Sequence, residues 1–515
     1  MIPEFRNERP TDFTVKHNYD KMIGAIKKAR DEFGREYELV INGKKVRSSD
    51  KFVSVNPSNY DQVVGYVFSA DEELVEQAMK SALNAFEEWK NVSPTLRARY
   101  LFKAAALMRR RKAELTATMV LENGKNWAEA DGDVAEAIDF LNFYGQRALQ
   151  LAEPQPLTRM AGENNDLYYI PLGVGVVISP WNFPLAILTG MTCGPLVMGN
   201  TIILKPASNT PVVAYKFMEI MEEAGVPDGV VNLVFGSGGT VGTRLVRHPK
   251  TRFINFTGSR EVGLFIAEEA SKVREGQKWI KRFSIEMGGK NAIIIDSEAD
   301  LDSAVACVVA SAFGYQGQKC SACSRAIIDE KVYDYVADQL IKRAESLTIG
   351  PAENYDNIMG PLIDQDALDK FLKYVEIGKQ EGKILCGGNK LDNEGYYVEP
   401  TIFDGVKSGD RLAREEIFGP LLALLKAKDF DQALEIANDT DYGLTGSVYS
   451  NNWSKLEKAR REFYVGNLYF NRKSTQALVG VHPFGGYNMS GTGAKAGGDD
   501  YLLLFSQAKA VSEEL

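Results

Sequence analysis

Apolar residues in the middle of the chain form short continuous runs, and segments with helical spacing separate these runs. Four such runs lie between residues 167 and 260, at 173–179, 200–206, 230–236 and 253–259. Strands that are apolar along their whole length are typical of a parallel sheet that is covered on both faces. The alternation therefore predicts βαβ units and a doubly wound sheet, and residues 280–470 repeat the pattern.

Other patterns flank the two α/β blocks. The turn Asn42-Gly43 between two short apolar runs predicts a β-hairpin. From Asp71 to Leu151 apolar side chains recur at helical spacing, which predicts amphipathic helices that cover a sheet without contributing to catalysis. The apolar run 501–505 is interpreted as a terminal strand, and its unpaired edge as an interface element.

Length and composition limit the class of protein. The chain has 515 residues, of which 44% are hydrophobic and 25% charged, as in globular proteins of about three domains. A net charge of −9 without a basic block argues against a nucleic acid as partner. No apolar run approaches the roughly 18 residues of a membrane span. Residues 1–9 contain no apolar core of a secretory signal, so neither membrane insertion nor secretion is expected.

The cysteines and histidines indicate a reducing compartment and no metal. The five cysteines are sparse and odd in number, which argues against a disulfide framework, so we expect the protein in the cytoplasm. Cys320-x-x-Cys323 lacks the second pair of ligands that a zinc site needs. Because the chain has only three histidines, a carboxylate is a better candidate than an imidazole for the base that assists a nucleophilic cysteine.

Polar and glycine-rich residues follow the four predicted strands of the first block. They are Pro180-Trp181-Asn182-Phe183, Lys205-Pro206-Ala207-Ser208, Gly236-Ser237-Gly238-Gly239 and Thr257-Gly258-Ser259-Arg260. The carboxyl ends of parallel strands form one rim of a sheet, and ligands bind there. A lysine, glycines and hydroxyl groups at this rim suit a nucleotide with phosphates, although the usual G-x-G-x-x-G does not follow the first strand.

Cys320 is the candidate nucleophile. An apolar helical run precedes it, and Gly314 and Gly317 break the helical pattern just before the thiol. The thiol is therefore expected at a turn that opens into a pocket. Lys319 and Arg325 are predicted to lower its pKa. The alternative is a buried cysteine that only packs.

Two glutamates are further candidates. Glu286 follows an apolar residue and lies just before the pair Gly288-Gly289, so its carboxylate is expected at a rim rather than in bulk water. Glu416 belongs to the predicted turn 415–420. For each glutamate, a solvated charge on a loop is the alternative interpretation.

Seven motifs, in this order, make the chain resemble the NAD(P)-dependent aldehyde dehydrogenase superfamily from about residue 40 to the C-terminus. The motifs are Pro180-Trp181-Asn182-Phe183-Pro184, Lys205-Pro206-Ala207-Ser208, Phe256-Thr257-Gly258-Ser259, Glu286-Met287-Gly288-Gly289-Lys290, Gly317-Gln318-Lys319-Cys320, Glu416-Ile417-Phe418-Gly419-Pro420 and Pro483-Phe484-Gly485-Gly486. Residues 318–325 and 471–475 are most similar to the 1-pyrroline-5-carboxylate dehydrogenases. The resemblance implies an α/β fold with two doubly wound domains and a small β oligomerisation element.

The same resemblance implies a division of the chain. Residues 1–155 and 173–285 would form the cofactor-binding domain, and residues 286–472 the catalytic domain. Residues 156–172 and 473–515 would form an oligomerisation and bridging element that carries the loop for anchoring the substrate. A homo-oligomer built on dimers is therefore expected.

The family's reaction implies roles for three residues. Cys320 attacks an aldehyde carbon, the Asn182 amide and the Cys320 N–H stabilise the oxyanion, and Glu286 activates the water that hydrolyses the resulting thioester. The implied substrate is L-glutamate 5-semialdehyde, which is oxidised to L-glutamate in proline degradation. The residues expected to bind it are Phe183 and Phe484 along its aliphatic chain, and Ser321, Thr475, Gln476 and Ala477 at its carboxylate.

The implied cofactor is NAD. The residues expected to bind it are Ser179, Trp181, Lys205, Ser208, Gly238, Gly258, Ser259, Glu416 and Phe418. By resemblance, Lys205 and Ser208 face the adenosine ribose, and Glu416 the nicotinamide ribose. Many NAD-restricted relatives have a glutamate where Ser208 stands, so NADP is expected as a second nucleotide.

One position departs from the family pattern. Gln476 stands where glycine is usual, which is unfavourable for substrate binding if the backbone there has a positive φ. Other functions stay open at this point: an aldehyde dehydrogenase for another small semialdehyde, a non-catalytic relative with the same fold, and a cysteine hydrolase that uses no nucleotide.

Overall fold

The computed structural model describes residues 4–392 and 394–515 and has the predicted α/β class. Residues 1–3, which begin the segment examined for a signal, lie outside the described residues. The strands in chain order are β1 (Arg35–Tyr37), β2 (Leu39–Ile41), β3 (Lys44–Val46), β4 (Lys51–Asn56), β5 (Asn59–Phe68), β6 (Glu163–Pro171), β7 (Val174–Ile178), β8 (Thr201–Lys205), β9 (Val231–Leu233), β10 (Phe253–Thr257), β11 (Arg282–Glu286), β12 (Asn291–Ile295), β13 (Cys323–Asp329), β14 (Lys383–Cys386), β15 (Thr401–Asp404), β16 (Leu421–Ala427), β17 (Thr445–Tyr449), β18 (Asn467–Phe470) and β19 (Ser506–Glu514).

The described residues contain fifteen α-helices. They are α1 (Lys16–Asp31), α2 (Glu72–Trp89), α3 (Pro94–Arg110), α4 (Lys112–Asn123), α5 (Trp127–Leu151), α6 (Ala186–Val197), α7 (Pro211–Ala224), α8 (Thr243–Arg247), α9 (Arg260–Ser271), α10 (Leu301–Phe313), α11 (Tyr333–Glu345), α12 (Gln365–Glu381), α13 (Arg411–Arg414), α14 (Phe430–Asn438) and α15 (Trp453–Glu462). In these same residues no helix is both long and apolar enough to cross a membrane.

The first seven-stranded sheet has the order β11-β10-β7-β8-β9-β2-β3. Its strands β7 to β11 are parallel, as their apolar runs predict. The chain proceeds from β7 outward to β9 and then returns to the other side of β7 with β10. This reversal creates a crevice at the carboxyl ends of β7 and β10. The predicted hairpin forms the far edge as β2 and β3, and Asn42 and Gly43 have the positive φ values, 53° and 70°, of its turn.

The second seven-stranded sheet has the order β14-β15-β16-β13-β12-β17-β18, and only β14 is antiparallel to its neighbour. Alternate residues of β12 face opposite layers of helices. Ile293 and Ile295 pack with α10 and α11, whereas Ala292 and Ile294 pack with α12, α14 and α15. Because both faces of the strand are covered, its sequence is apolar throughout rather than alternating.

The connection between the two sheets sets their relative position. β11 ends at Glu286 and β12 begins at Asn291, so the carboxyl end of the first sheet lies beside the amino end of the second. Cys320 comes three residues before β13, which is the neighbour of β12. The candidate base and the candidate nucleophile are therefore brought to one junction by the shortness of this connection.

The interpretation of residues 501–505 as a strand is wrong. They form a 3₁₀-helix, and Tyr501, Leu502 and Phe505 are buried in the core of the first sheet's helices. The ring of Tyr501 stacks on that of Tyr144 at a centroid distance of 5.3 Å. Burial of side chains on one helical face, instead of every second residue, explains the helix. The terminal strand is the polar segment β19, which pairs with β6 in a two-stranded antiparallel sheet.

Candidate active site

The turn that carries Cys320 is held in an unusual backbone conformation. Tyr315, Gln316 and Gly317 all have positive φ, at 52°, 56° and 67°. A Cβ atom at Gly317 would overlap the carbonyl oxygen of Gly419. Left-handed conformations cost roughly 1–2 kcal/mol for other residues, and two buried hydrogen bonds offset this cost. Tyr315 Oη donates to Asn123 Oδ1 at 2.7 Å, and Gln316 Nε2 donates to the Pro361 carbonyl at 2.7 Å.

Side-chain amides fix the backbone on both sides of the thiol. Asn291 Nδ2 donates to the carbonyl oxygens of Cys320 and Ala322 at 2.7 and 2.9 Å. The buried Asn182 side chain donates to the Gln318 carbonyl at 3.1 Å. The structure thus brings Asn182, the predicted oxyanion donor, to the Cys320 turn. Asn291 was not predicted, and only its place directly after the glycine pair and Lys290 could have indicated it.

The Glu286 carboxylate lies among the backbone atoms of a glycine-rich loop. Oε2 accepts a hydrogen bond from Gly486 N–H at 3.3 Å, and a Cβ atom at Gly491 would lie only 2.8 Å from Oε1. Oε1 is buried and has no hydrogen-bond partner among the described residues. Burial raises the pKa of Glu286 well above its ordinary value. A carboxylate with a raised pKa is a stronger base than an exposed glutamate, which suits it to accept a proton from water.

The Cys320 thiol is not activated in the way that the sequence predicts. Burial, together with the charges of the Glu416 and Glu286 carboxylates, raises its pKa to about 12. Lys319 is ion-paired with Glu129 at 2.7 Å. Arg325 is buried and donates to the carbonyls of Lys290, Ile436 and Ala437. The prediction that these two cations lower the pKa of the thiol is therefore wrong, because each one is used elsewhere.

Helix α5 contributes acidic side chains to the site. Glu129, Asp133 and Glu136 lie on one helical face. Glu129 pairs with Lys319, and Asp133 pairs with the fully buried Lys125 at 2.6 Å. Burial raises the pKa of Glu136 to about 8, and its charge acts on the Cys320 thiol. The helices of residues 71–151 are predicted only to cover a sheet, but α5 also pairs with Lys319 of the Cys320 turn, and the spacing of its acids could have indicated this.

The Lys125–Asp133 pair also supports Phe183, a residue predicted to contact the substrate. Lys125 Nζ lies 3.9 Å from the centroid of the Phe183 ring and 4.7 Å from that of Tyr315. Asp133 Oδ1 accepts a hydrogen bond from Ala186 N–H at the start of α6 at 2.6 Å. The cation beneath the ring fixes Phe183 beside the Cys320 turn.

Residues 474–477, here called the substrate loop, contact the same turn. Ser474 Oγ donates to the Ser321 carbonyl at 3.1 Å, and Ser321 and Thr475 are buried. Arg472 Nη2 donates to the carbonyls of Thr475 and Gln476 at 3.1 and 2.9 Å. Gln476 has a φ of 63°, so it occupies the conformation that favours glycine. Ala477 follows in the half-buried part of this loop.

Phe484, the second residue predicted beside the aliphatic chain, is half-buried and belongs to the loop that holds Glu286. Its N–H donates to the Ala496 carbonyl at 2.9 Å, two residues before the Gly486 N–H that binds the Glu286 carboxylate. This loop and the substrate loop thus approach the junction from neighbouring parts of the C-terminal segment.

The rim of the first sheet has spare polar groups that fit a ribose. Ser179 follows β7, and its Oγ is buried without a partner among the described residues. Lys205 ends β8 and is buried, so that the pKa of its ammonium is lowered to about 8. Ser208 Oγ makes a long contact of 3.5 Å with the Gly236 carbonyl. These donors at adjacent strand ends are suited to the hydroxyl groups of a nucleotide.

The other predicted cofactor residues border the same crevice. Gly238 begins a one-turn π-helix after β9, and Gly258 follows β10. Ser259 caps α9, since its Oγ accepts from Val262 N–H at 3.4 Å. On the opposite side, Glu416 Oε1 accepts from Gly289 N–H at 3.0 Å. The rings of Trp181 and Phe418 make an edge-to-face contact with their centroids 5.4 Å apart, so the two sheets approach each other across this crevice.

Comparison with known proteins decides the family. A model described as "Aldehyde dehydrogenase family" matches residues 45–511. The chain belongs to the aldehyde dehydrogenase family. Curated members named 1-pyrroline-5-carboxylate dehydrogenase, from Geobacillus kaustophilus and Geobacillus thermodenitrificans, are each 56% identical to this chain over 513 residues, and the match covers 100% of both chains.

Solved structures of aldehyde dehydrogenase family members have the same fold. A variant of Thermus thermophilus 1-pyrroline-5-carboxylate dehydrogenase has a TM-score of 0.99 and 52% identity over 100% of both chains. A structure of this enzyme from Thermus with bound NAD has the same values. Proline utilization A from Bdellovibrio bacteriovorus has a TM-score of 0.98 and 46% identity, and it matches 99% of this chain with 53% of its own. The predicted family and fold are confirmed.

We expect the substitution Glu416→Gln to accelerate alkylation of Cys320 by iodoacetamide at pH 8 without nucleotide. Neutralising this carboxylate lowers the pKa of the thiol, and each unit of pKa changes the thiolate fraction by about tenfold while the pH lies below the pKa. Mass spectrometry of the modified protein over time measures the rate at Cys320.

Glu415→Gln is the matched control for this experiment. The Glu415 carboxylate accepts a hydrogen bond from Tyr374 Oη and pairs with Arg411, so its removal leaves the thiol unaffected. Equal alkylation rates in wild-type protein and in Glu416→Gln would contradict the assigned cause of the raised pKa.

Proposed function

We propose that this protein oxidises L-glutamate 5-semialdehyde, formed from 1-pyrroline-5-carboxylate, to L-glutamate with NAD in proline degradation. The observation that carries the proposal is the 56% identity over the whole chain with enzymes named for this reaction. The junction that holds Cys320, Asn182 and Glu286 supports it chemically. An aldehyde dehydrogenase for another small semialdehyde is the second candidate, because Gln476 alters the substrate loop.

Cys320 and Asn182 perform the first step. The thiolate attacks the aldehyde carbon and forms a thiohemiacetal, while the Asn182 amide and the Cys320 N–H donate to the oxyanion. One donor of this kind contributes roughly 10²–10³ in rate. Asn182 donates to the Gln318 carbonyl, so its amide lies beside the Cys320 turn.

The cofactor residues position the acceptor of the second step. Bound NAD supplies a nicotinamide that takes up the hydride lost by the substrate carbon. Lys205 and Ser208 would hold its adenosine ribose, and Glu416 its nicotinamide ribose. Trp181 and Phe418, whose rings are in contact, line the crevice between the two sheets. Loss of this hydride would convert the thiohemiacetal into a thioester on Cys320.

Glu286 completes the reaction. Its carboxylate takes a proton from water, which then attacks the thioester and releases L-glutamate. Burial raises the pKa of Glu286, which makes its carboxylate a stronger base than an exposed glutamate. Ser321, Thr475 and Ala477 would bind the substrate carboxylate, with Phe183 and Phe484 along its carbon chain.

We also propose the division into a cofactor-binding domain, a catalytic domain and an oligomerisation element, in a homo-oligomer built on dimers. The two-stranded sheet of β6 and β19 exposes Tyr168, Ile170 and Val511, which supports its role as an interface element. Light scattering, which gives the molar mass in solution, tests whether the protein is an oligomer.

A cytoplasmic location is supported by the five free cysteines.

Purified protein incubated with 1-pyrroline-5-carboxylate and NAD is expected to produce NADH, with Cys320→Ser inactive because it lacks the thiolate. Absorbance of NADH measures the rate, and kcat/KM is compared across a panel of small semialdehydes. A higher kcat/KM for succinate or aminoadipate semialdehyde than for the glutamate compound would favour the second candidate.

NADP is expected to support turnover in the wild-type protein, because Ser208 places no charge near the 2′-phosphate. The substitution Ser208→Glu is expected to lower kcat/KM for NADP by about a hundredfold, since like charges in contact cost several kcal/mol. The NAD kinetics of the same variant are the control. No measurable turnover of wild-type protein with NADP would refute this electrostatic argument.

Gln476→Gly is expected to lower the KM for glutamate semialdehyde. Glycine removes the strain of a φ of 63°, which is roughly 1 kcal/mol for other residues, and it allows closer approach of the substrate carboxylate. Gln476→Ala is the matched control, because it shortens the side chain and keeps the strain. An unchanged or higher KM in the glycine variant would count against this explanation.

A further inference from the structure

One peptide group connects a buried cation to the candidate base. Lys495 Nζ donates to the carbonyl oxygen of Gly485 at 2.6 Å. The N–H of Gly486 belongs to the same peptide group, and it donates to Glu286 Oε2 at 3.3 Å. The ammonium and the carboxylate therefore bind opposite ends of one peptide dipole.

We propose that Lys495 is a positioning residue for Glu286, acting through the Gly485–Gly486 peptide group to keep that carboxylate ionised and oriented for thioester hydrolysis. This inference rests on the proposed function, in which Glu286 is the base. Lys495 itself does not contact the reacting atoms, so its contribution is confined to the step that Glu286 performs.

The other contacts of Lys495 leave its charge uncompensated. Its ammonium also donates to the Gly466 carbonyl at 2.6 Å and to Asn467 Oδ1 at 3.2 Å. All three acceptors are neutral, and within the described residues no carboxylate forms an ion pair with Lys495. Its field therefore reaches Glu286 without being cancelled by a nearer anion.

The peptide group has little freedom to move. A Cβ atom at Gly485 would overlap the carbonyl oxygen of Ala494, and one at Gly466 would overlap the carbonyl oxygen of Gly485. The chain at Ala494, directly before Lys495, and the chain at Gly466 are therefore both packed against this peptide group. The hydrogen bonds that Lys495 makes thus fix the direction in which the Gly486 N–H points.

Polarisation gives this arrangement its chemical effect. A carbonyl that accepts from a cation strengthens the N–H of its own peptide group as a donor. Burial raises the pKa of Glu286, whereas the charge of Lys495 opposes this rise. Among the described residues, the other titratable groups on which the Glu286 charge acts are Cys320 and Tyr501, and burial raises the pKa of both, so they are neutral near pH 7. Lys495 is the positive group that balances the carboxylate.

The test compares the pH dependence of kcat in Lys495→Met, Lys495→Gln and Lys495→Arg. In Lys495→Met and Lys495→Gln the positive charge is lost. This loss is expected to shift the acidic limb of the kcat profile to higher pH by about one unit, and to lower kcat at pH 7 by about tenfold. Lys495→Arg keeps the charge and is expected to restore the limb. Lys80→Met, at an exposed position of α2, controls for loss of a positive charge elsewhere.

Rapid mixing separates the two chemical steps. In Lys495→Gln the first turnover is expected to release NADH at the wild-type rate, as a burst of about one per active site, before a slower steady state. In a Glu286→Gln background the same substitution is expected to have no further effect on kcat, because its target is missing.

Three results would overturn the inference: an acidic limb that does not move, an equal loss in the burst and steady-state phases, or additive losses in the double variant. If Lys495→Met does not fold, Lys495→Gln, which keeps a donor for the Gly485 carbonyl, gives the same comparison. Absence of activity in the wild-type protein would instead refute the proposed function, so the two failures are distinguishable.

Discussion

The close approach of two backbone segments at the junction of the sheets is the constraint on which the site depends. The segment between Glu286 and Asn291 has to pass the Cys320 turn on one side and the Glu416 carboxylate on the other. A Cβ atom at Gly289 would lie 2.9 Å from the Cys320 carbonyl oxygen, and one at Gly288 would overlap the Glu416 carboxylate. Because glycine has no Cβ atom to clash with these groups, two glycines in succession make this close approach sterically possible.

This proximity is maintained by neutral hydrogen-bonding groups more than by ion pairs. Amides from Asn291 and Asn182 hold the carbonyls around the thiol, and a peptide N–H holds Glu286. Charged side chains lie one layer further out, as in the pairs of Lys319 with Glu129 and Lys125 with Asp133. Neutral partners leave the reacting groups free to change their protonation state, because no opposite charge stabilises one form strongly.

Much of the architecture could be predicted from the sequence, because buried parallel strands have a distinctive apolar pattern. The runs that became β7, β8, β10 and β12, and the Asn42-Gly43 hairpin, depend on local rules that hold in any context. Residues 501–505 could not be assigned in this way, because a short apolar run fits a strand and a buried helix equally well. Its conformation is decided by contacts with α5 and α6, which are distant in sequence.

The site, too, has a part that could be predicted from local sequence and a part that depends on tertiary contacts. Cys320, Glu286 and Asn182 lie in motifs that could be recognised, whereas the charges that act on them are set by tertiary contacts. Lys319 is adjacent to Cys320 in sequence, yet its ammonium is directed to Glu129 on α5. Sequence proximity therefore gave the wrong sign for the pKa shift of the thiol. Electrostatic effects depend on the nearest charges in space and on burial, and neither quantity can be obtained from neighbours along the chain.

The raised pKa of the thiol and that of Glu286 have a common physical origin. Both groups are shielded from solvent, and the charges of Glu416 and Glu286 make formation of the thiolate less favourable. A positive charge that acts on Glu286 through a peptide group opposes the rise of the Glu286 pKa without occupying the space beside the thiol. The position of Lys495 behind the Gly485–Gly486 peptide group satisfies both requirements, whereas a lysine beside the thiol would satisfy only the first.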